Sequence, residues 1–346
     1  MWIKLDYLIF RPVLAFLLPS SWLIALYSWA RPRILPWIAK TKFSAVVVDE
    51  PRTYWGQTFR NPLGVAAGFD KDGRLLPFLY RLGAGYVVVG TALDKPHQGN
   101  PGVPWVPLTQ SHAAINRLGL PSPGIDQVLQ NIQDFRRQYN PKDFPIGLSI
   151  MGHPLDDADA KAQGMIICMQ KAQGFVDFIE LNQSCPNVGE NLDALDVPAS
   201  CFEMDIPIVL KLQPMPPQQK IIDLCAQGKI SGIVVGNTQK DYDPSLLYAK
   251  DQRHARYFQN KYGGGLSGYP LFEENINHIK QWHQALQAVN ASTLLIGCGG
   301  IRSNREYNTY MQTCGLTQLY TGLWEVYAHV GARKTWAHFF VQDQNA

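Results

Sequence analysis

An α/β chain of eight parallel strands closed into a barrel, behind a short helical extension, is the architecture this sequence predicts. Three observations carry it. Eight short apolar runs recur between residues 63 and 322, most of them spaced far enough apart to hold a crossover helix. Most of those runs finish on polar residues or glycine. The first 42 residues, by contrast, are rich in tryptophan and cations and do not follow that rhythm. A length of 346 residues suits one large α/β domain, and 46% hydrophobic against 17% charged residues gives it a sizeable core. A net charge of +3, with no RNA or DNA motif, argues against nucleic acid as a partner.

Taken in order, the extension holds three apolar pieces, 7–18, 22–29 and 34–39, interrupted by Arg11, Pro12 and Pro19. None reaches the roughly 18–20 uninterrupted apolar residues of a spanning helix. Trp2, Trp22, Trp29 and Trp37, with Lys4, Arg11, Arg31, Arg33, Lys40 and Lys42, have the make-up of helices that lie in a membrane interface. The expected division is therefore 1–42 as a membrane-facing helical extension and 43–346 as the barrel. A helical cap packed on the main domain is the alternative for the first part.

A hairpin is expected next, from 44–49 and 54–59. Then come the eight strands: 63–69, 86–91, 146–151, 178–184, 206–212, 232–238, 293–299 and 318–322. Eight parallel strands in one chain most simply close into a (β/α)8 TIM barrel, with a doubly wound open sheet as the other solution. In such barrels function sits at the C-terminal strand ends.

Those ends carry Lys71, Gly90-Thr91, the segment Asn182-Gln183-Ser184-Cys185-Pro186-Asn187, Lys211, Asn237-Thr238, Gly297-Cys298-Gly299-Gly300 and Tyr320-Thr321-Gly322. Glycines after the seventh and eighth strands, Gly299 and Gly300 among them, let backbone N–H groups approach a phosphate, and Gly263–Gly268 adds a second cradle. Lysines at two strand ends suit developing negative charge such as the N1–O2 edge of a reduced flavin, and Lys211 is the candidate for that position. Asn116, Asn182, Asn187, Asn237 and Thr238 offer paired donors and acceptors without net charge, which suits the imide and amide edges of a pyrimidine. Cys185 is the candidate general base, because a free thiol titrates near neutrality while hydroxyls do not. Cys168, Cys201, Cys225, Cys298 and Cys314 read as buried hydrophobes. With no CxxC pair, no metal-ligand spacing and no cleavable signal peptide, the cysteines imply free thiols in a reducing compartment and no bound metal.

Together these residues resemble the dihydroorotate dehydrogenase family from about Ser44 to about Trp336. Phe59 to Gly73 is similar to the family's FxNPxGxAAGxDKDG segment, Asn116-Arg117-Leu118-Gly119 to its NRxG loop, 182–187 to its catalytic loop, and 264–268 with 296–301 to its flavin-phosphate region. The resemblance implies that Ala67, Gly68, Lys71, Thr91, Asn182, Lys211, Gly268, Gly299, Gly300, Tyr320 and Thr321 contact FMN, with Ser149 where the family has a flavin-contacting asparagine. It implies that Asn116, Asn182, Asn187, Asn237 and Thr238 hold dihydroorotate beside Lys71. Cys185 would take a proton from C5 while a hydride passes from C6 to the flavin, giving orotate. The helical extension matches the quinone-reducing class, which implies a membrane quinone as acceptor and a monomer held peripherally on the cytoplasmic face of the inner membrane. That class uses serine as base, so Cys185 combines a soluble-class catalytic loop with membrane-class architecture. Leu120, Pro121 and Ser122 replace the family's phenylalanine and asparagines after NRxG, and Lys95 stands for an arginine near the quinone channel. Two alternatives follow: action on another dihydropyrimidine, or a degenerate flavin-binding relative without turnover.

Overall fold

Strands rich in Val, Ile and Leu, buried on both faces, close on themselves only if every crossover packs outside the sheet. The structure, a computed structural model, describes residues 2–183 and 197–341. Its barrel consists of β1 Leu63–Val65, β2 Tyr86–Ala92, β3 Ile146–Ile150, β4 Phe178–Asn182, β5 Ile208–Leu212, β6 Gly232–Val235, β7 Leu294–Cys298 and β8 Leu316–Leu319. All eight neighbouring pairs are parallel, and β8 closes on β1 with Thr317 opposite Leu63. This is the predicted (β/α)8 barrel. Its interior is filled by Phe59, Tyr86, Val88, Phe178, Val209, Val234, Ile296 and Leu316. Gly64 lies against Tyr86, where any side chain would fall within 2.4 Å of the ring.

Several expectations need correction. The hairpin is made by Arg52–Tyr54 with Gln57–Phe59, and 44–49 is not a strand: Val46 N instead donates to Arg333 O, away from the hairpin. The first and sixth strands end early, at Val65 and Val235. Past those points the chain leaves the ladder so that 66–71 and 236–238 can form site loops. A three-stranded antiparallel sheet, Trp105–Leu108, Ala113–Asn116 and Gly265–Gly268, has no counterpart in the sequence reading. Its pieces are short, and two of them lie about 150 residues from the third. Gly263–Gly268 is thus in large part a paired strand rather than an open loop.

In the extension, Trp2–Leu5 and a π-helical turn Asp6–Phe10 lead into α1 Arg11–Leu17, and α2 spans Ser20–Ala39. The second and third expected pieces are therefore one helix, which runs through Pro32 and Pro36. The Arg33 guanidinium covers a carbonyl on this stretch by donating to Trp29 O at 2.8 Å. None of the described helices is long and apolar enough to cross a membrane. One face of α2 is core: Leu23, Ile24 and Tyr27 are buried with Val106, Ile115, Leu266 and Phe258. Ser28 Oγ accepts from Trp105 N at 2.9 Å. Helix α3, Ala249–Tyr262, grips the turn before α2, with His254 2.8 Å from Ala15 O and 2.9 Å from Ser20 Oγ.

The start of the extension packs on α4, Thr321–Val330, through Tyr7, next to an ion cluster of the barrel itself. Tyr7 is buried against the His329 ring, and Glu325 receives Arg302 Nη2 at 2.7 Å and lies 2.9 Å from His112 Nδ1. Burial pushes the Glu325 carboxyl up, but His112 and Arg302 outweigh it and hold the group at about 2 rather than 4.5. A carboxylate depressed in the folded state contributes stability above its unfolded pKa and loses it as the pH falls through the folded one. Glu325→Gln should therefore cost on the order of 2–3 kcal/mol at pH 7 in chemical denaturation. The difference from the parent protein should close between pH 4.5 and about 2. An equal gap at pH 7 and pH 2 would reject this ion cluster as the cause.

Candidate active site

A single cavity at the C-terminal end of the barrel gathers most of the expected residues. It is lined by Ala67, Gly68 and Lys71 after β1, Thr91 on β2, Asn182 on β4, Lys211 on β5, Asn237 and Thr238 after β6, and Cys298, Gly299 and Gly300 at β7. Tyr320, Thr321 and Gly322 close it at the start of α4. Asn116 and Gly268 reach it from the antiparallel sheet, which roofs the barrel mouth on this side together with Ser267.

The polar side chains form a chain of hydrogen bonds across four strand ends. Ser149 Oγ lies 3.1 Å from Thr91 Oγ1, which accepts from Asn182 Nδ2 at 3.2 Å. Asn237 Nδ2 donates to Asn182 Oδ1 at 3.3 Å, and Asn237 Oδ1 accepts from Thr238 N at 2.8 Å. Each amide is thereby fixed in orientation before any ligand arrives. Ser149 is fully buried behind Thr91 and is not among the residues that line the cavity. Its short side chain supports Thr91 from below. Cys185 and Asn187 lie outside the described residues.

The loop carrying Lys71 is held by Asp70. Its carboxylate accepts from Gly73 N at 2.9 Å and Leu75 N at 3.0 Å, and burial, with Asp72 second, pushes it up to about 7 against those bonds. Lys211 is buried; Glu180, 3.7 Å away, keeps its ammonium pKa above the usual range although burial opposes this. Gly268 has a φ of +111°, and a Cβ there would come within 2.3 Å of His112 O. At Gly300 a Cβ would come within 2.6 Å of the Phe272 side chain. Neither position admits another residue without moving the sheet and helix beside it.

Three features escape sequence reasoning. Arg31, on α2, donates to Tyr320 Oη at 2.7 Å, so the extension touches a residue of the cavity wall. Nothing in the local sequence points there, since the two lie 289 positions apart. A second cavity of about 660 Å³ lies between α2 and the Lys71 loop, with Arg31, Leu35, Pro36 and Phe69 in its wall, and Lys71 borders both cavities. Lys95, in contrast, is exposed and pairs with Asp156 at 2.8 Å. It lines neither cavity. Below the first cavity, Glu180 and Gln318 are fully buried polar groups inside the barrel. Alternation on β4 and β8 could have placed both beneath Asn182 and Tyr320.

Among known proteins, the family model for dihydroorotate dehydrogenase matches residues 51–331. A "dihydroorotate dehydrogenase (quinone)" of Burkholderia ambifaria is 33% identical over 300 residues, spanning 81% of this chain and 82% of that protein. One of the same name from Herminiimonas arsenicoxydans is 31% identical over 342 residues, spanning 92% and 94%. Among solved structures, that of DHODH from Eimeria tenella in complex with ferulenol superposes with a TM-score of 0.71 at 22% identity, covering 88% of each chain. At that identity the likeness speaks for the fold alone.

Proposed function

Since the chain belongs to the dihydroorotate dehydrogenase family, we propose that it oxidises dihydroorotate to orotate with FMN as cofactor and passes the electrons to a membrane quinone. The observation that carries this reading is the convergence of Lys71, Asn116, Asn182, Lys211, Asn237 and Thr238 with a glycine-lined end in one cavity. The donor set fits the cofactor. Thr321 and Gly322 are the first residues of the ten-residue α4, whose free N–H groups favour a phosphate, and Gly268 and Gly300 leave the backbone beside them bare. Thr321 Oγ1 is already oriented by Ser267 Oγ at 3.0 Å. Lys211 would supply the countercharge at the other end.

Bound FMN supplies the acceptor for the hydride leaving C6. The protein does the rest. Asn182 and Asn237, tied to each other, hold the pyrimidine ring by its amide edges together with Asn116, and Lys71 neutralises its carboxylate. Cys185, three residues beyond Asn182 in the chain, takes the proton from C5 as its thiolate. The acceptor reading rests on the extension and on the relatives' quinone-bearing name. A quinone tail stays in the bilayer, so its head must be led to the flavin between extension and barrel, and the second cavity with its Arg31, Leu35 and Pro36 wall offers such a route. We place the chain as a monomer on the cytoplasmic face of the inner membrane, with 1–42 as its membrane-facing part.

The deciding experiment is an anaerobic titration of the purified protein with dihydroorotate, in which its flavin should bleach. A flavin reduced by another dihydropyrimidine and not by dihydroorotate would overturn the substrate. A second outcome concerns Lys211. Lys211→Met removes the countercharge, and dissociation of FMN, followed by its fluorescence, should be at least tenfold easier. Equal retention would remove Lys211 from the cofactor site.

A further inference from the structure

Glu180 is fully buried inside the barrel, two residues before Asn182 on β4 and therefore one layer beneath the cavity floor. Its Oε2 accepts from Gln318 Nε2 at 3.1 Å, and Gln318 stands two residues before Tyr320 on the opposite side of the barrel. Among the described residues its Oε1 accepts no hydrogen bond, and it faces the Lys211 ammonium at 3.7 Å. Asn182 and Lys211 are register partners on β4 and β5, so the lysine spans the two layers with its stem in one and its charge toward the other. Among the described residues, the other titratable groups around this carboxylate are the phenol of Tyr86, pushed up by burial and then by Glu180, and the thiol of Cys298, pushed up by burial. Neither supplies a compensating positive charge.

A buried ion pair is a poor device for stability, because desolvation cancels most of its attraction and an apolar pair of equal volume holds a core as well. At 3.7 Å the pair is close enough for strong attraction and too long for a hydrogen bond, so the ammonium is pulled toward Glu180 without being locked to it. We propose that Glu180 is a positioning residue that acts through Lys211: it draws part of that lysine's charge away from the cofactor and so sets how strongly the site stabilises a reduced flavin. The lysine alone would stabilise reduced cofactor and slow its reoxidation. With Glu180 behind it, the site favours onward transfer of the electrons. This rests on the FMN reading above.

The test uses Glu180→Gln in the full-length protein, with two readouts. The first needs no flavin: the pH profile for acylation of Lys211, followed on its peptide by mass spectrometry. Loss of the carboxylate should move that profile to lower pH by about one unit. The second is the affinity of the bound flavin for sulfite, whose addition leaves negative charge at N1. It should tighten about tenfold, with a matching rise in flavin midpoint potential. A variant unchanged in both readouts shows an inert core pair and overturns the proposal. A moved lysine profile with unchanged sulfite affinity and potential overturns the coupling to flavin. If the protein takes up no FMN at all, the cofactor reading falls, and the lysine profile still decides whether the two side chains are paired. Should Glu180→Gln fail to fold, Glu180→Asp, which retracts the charge by one methylene, should move both readouts in the same direction by less.

Discussion

Cys185→Ala should lower the rate of flavin reduction by dihydroorotate about 10²–10⁴-fold while leaving the flavin bound, the range by which a positioned base accelerates proton transfer. The size follows from what the residue would do. The C5 proton is not acidic enough to leave unaided, and Lys211 in the cavity wall, whose ammonium Glu180 holds above the usual range although burial opposes this, cannot accept it. Cys298 also faces the cavity, but burial holds its thiol above the ordinary value, and it is not the candidate base. Cys185→Ser should keep slow turnover with its pH dependence moved upward, because a hydroxyl holds its proton far more tightly than a thiol. Brief treatment with iodoacetamide should inactivate the parent protein, and orotate should protect it. Stopped-flow reduction of the alanine variant at the parental rate would move the base elsewhere.

The second large effect is at the membrane. Phe16, Trp22 and Trp37 are 75%, 69% and 81% exposed, on a helical pair whose other face is locked into the core by Leu23, Ile24 and Tyr27. Large apolar rings in water, flanked by Arg33 and Lys40, suit an interface with anionic lipid. Deleting residues 1–42 would strip that shared core, so the cleaner variant changes only the outer face. Phe16→Ser, Trp22→Ser and Trp37→Ser together should leave folding nearly unchanged and remove about 1 kcal/mol or more of partitioning per ring. That is roughly a hundredfold in affinity for anionic vesicles, read by co-sedimentation. Reduction of long-chain ubiquinone in the vesicles should fall with it, while reduction of a water-soluble dye should not. Parental vesicle binding by the triple variant would mean that these rings serve some other contact.

Much of this was legible in the sequence, and the limits have physical causes. All eight barrel strands could be placed because a parallel strand buried on both faces is a nearly continuous apolar run, as in 86–91. The strand-end residues followed from the rule that such barrels keep their chemistry at one rim, and Lys71, Asn182, Lys211, Asn237 and Thr238 do converge there. What failed was whatever depends on tertiary partners. The antiparallel sheet pairs Ala113–Asn116 with Gly265–Gly268, too distant in the chain for any local pattern to reveal. Ser149 was placed by resemblance, and no local pattern could show that its hydroxyl lies 3.1 Å from that of Thr91. The apolar pieces 22–29 and 34–39 read as separate, yet they belong to one helix, α2, that runs through Pro32 and Pro36.

Closure of the barrel has a consequence for how the protein is made. Thr317 hydrogen-bonds Pro62, 255 positions earlier, and the rim of the cavity needs Gly68 from one end of the chain and Tyr320 from the other. During synthesis, then, a nascent chain that has exposed β1 through β7 still has two unsatisfied sheet edges and no complete cofactor cradle. Only when the last strand and α4 have left the ribosome can the ring shut, and the long loop joining its ends makes that step slow relative to local helix formation. Until then the open edges of β1 and β7 are the chain's most aggregation-prone surfaces. Flavin loading belongs after release.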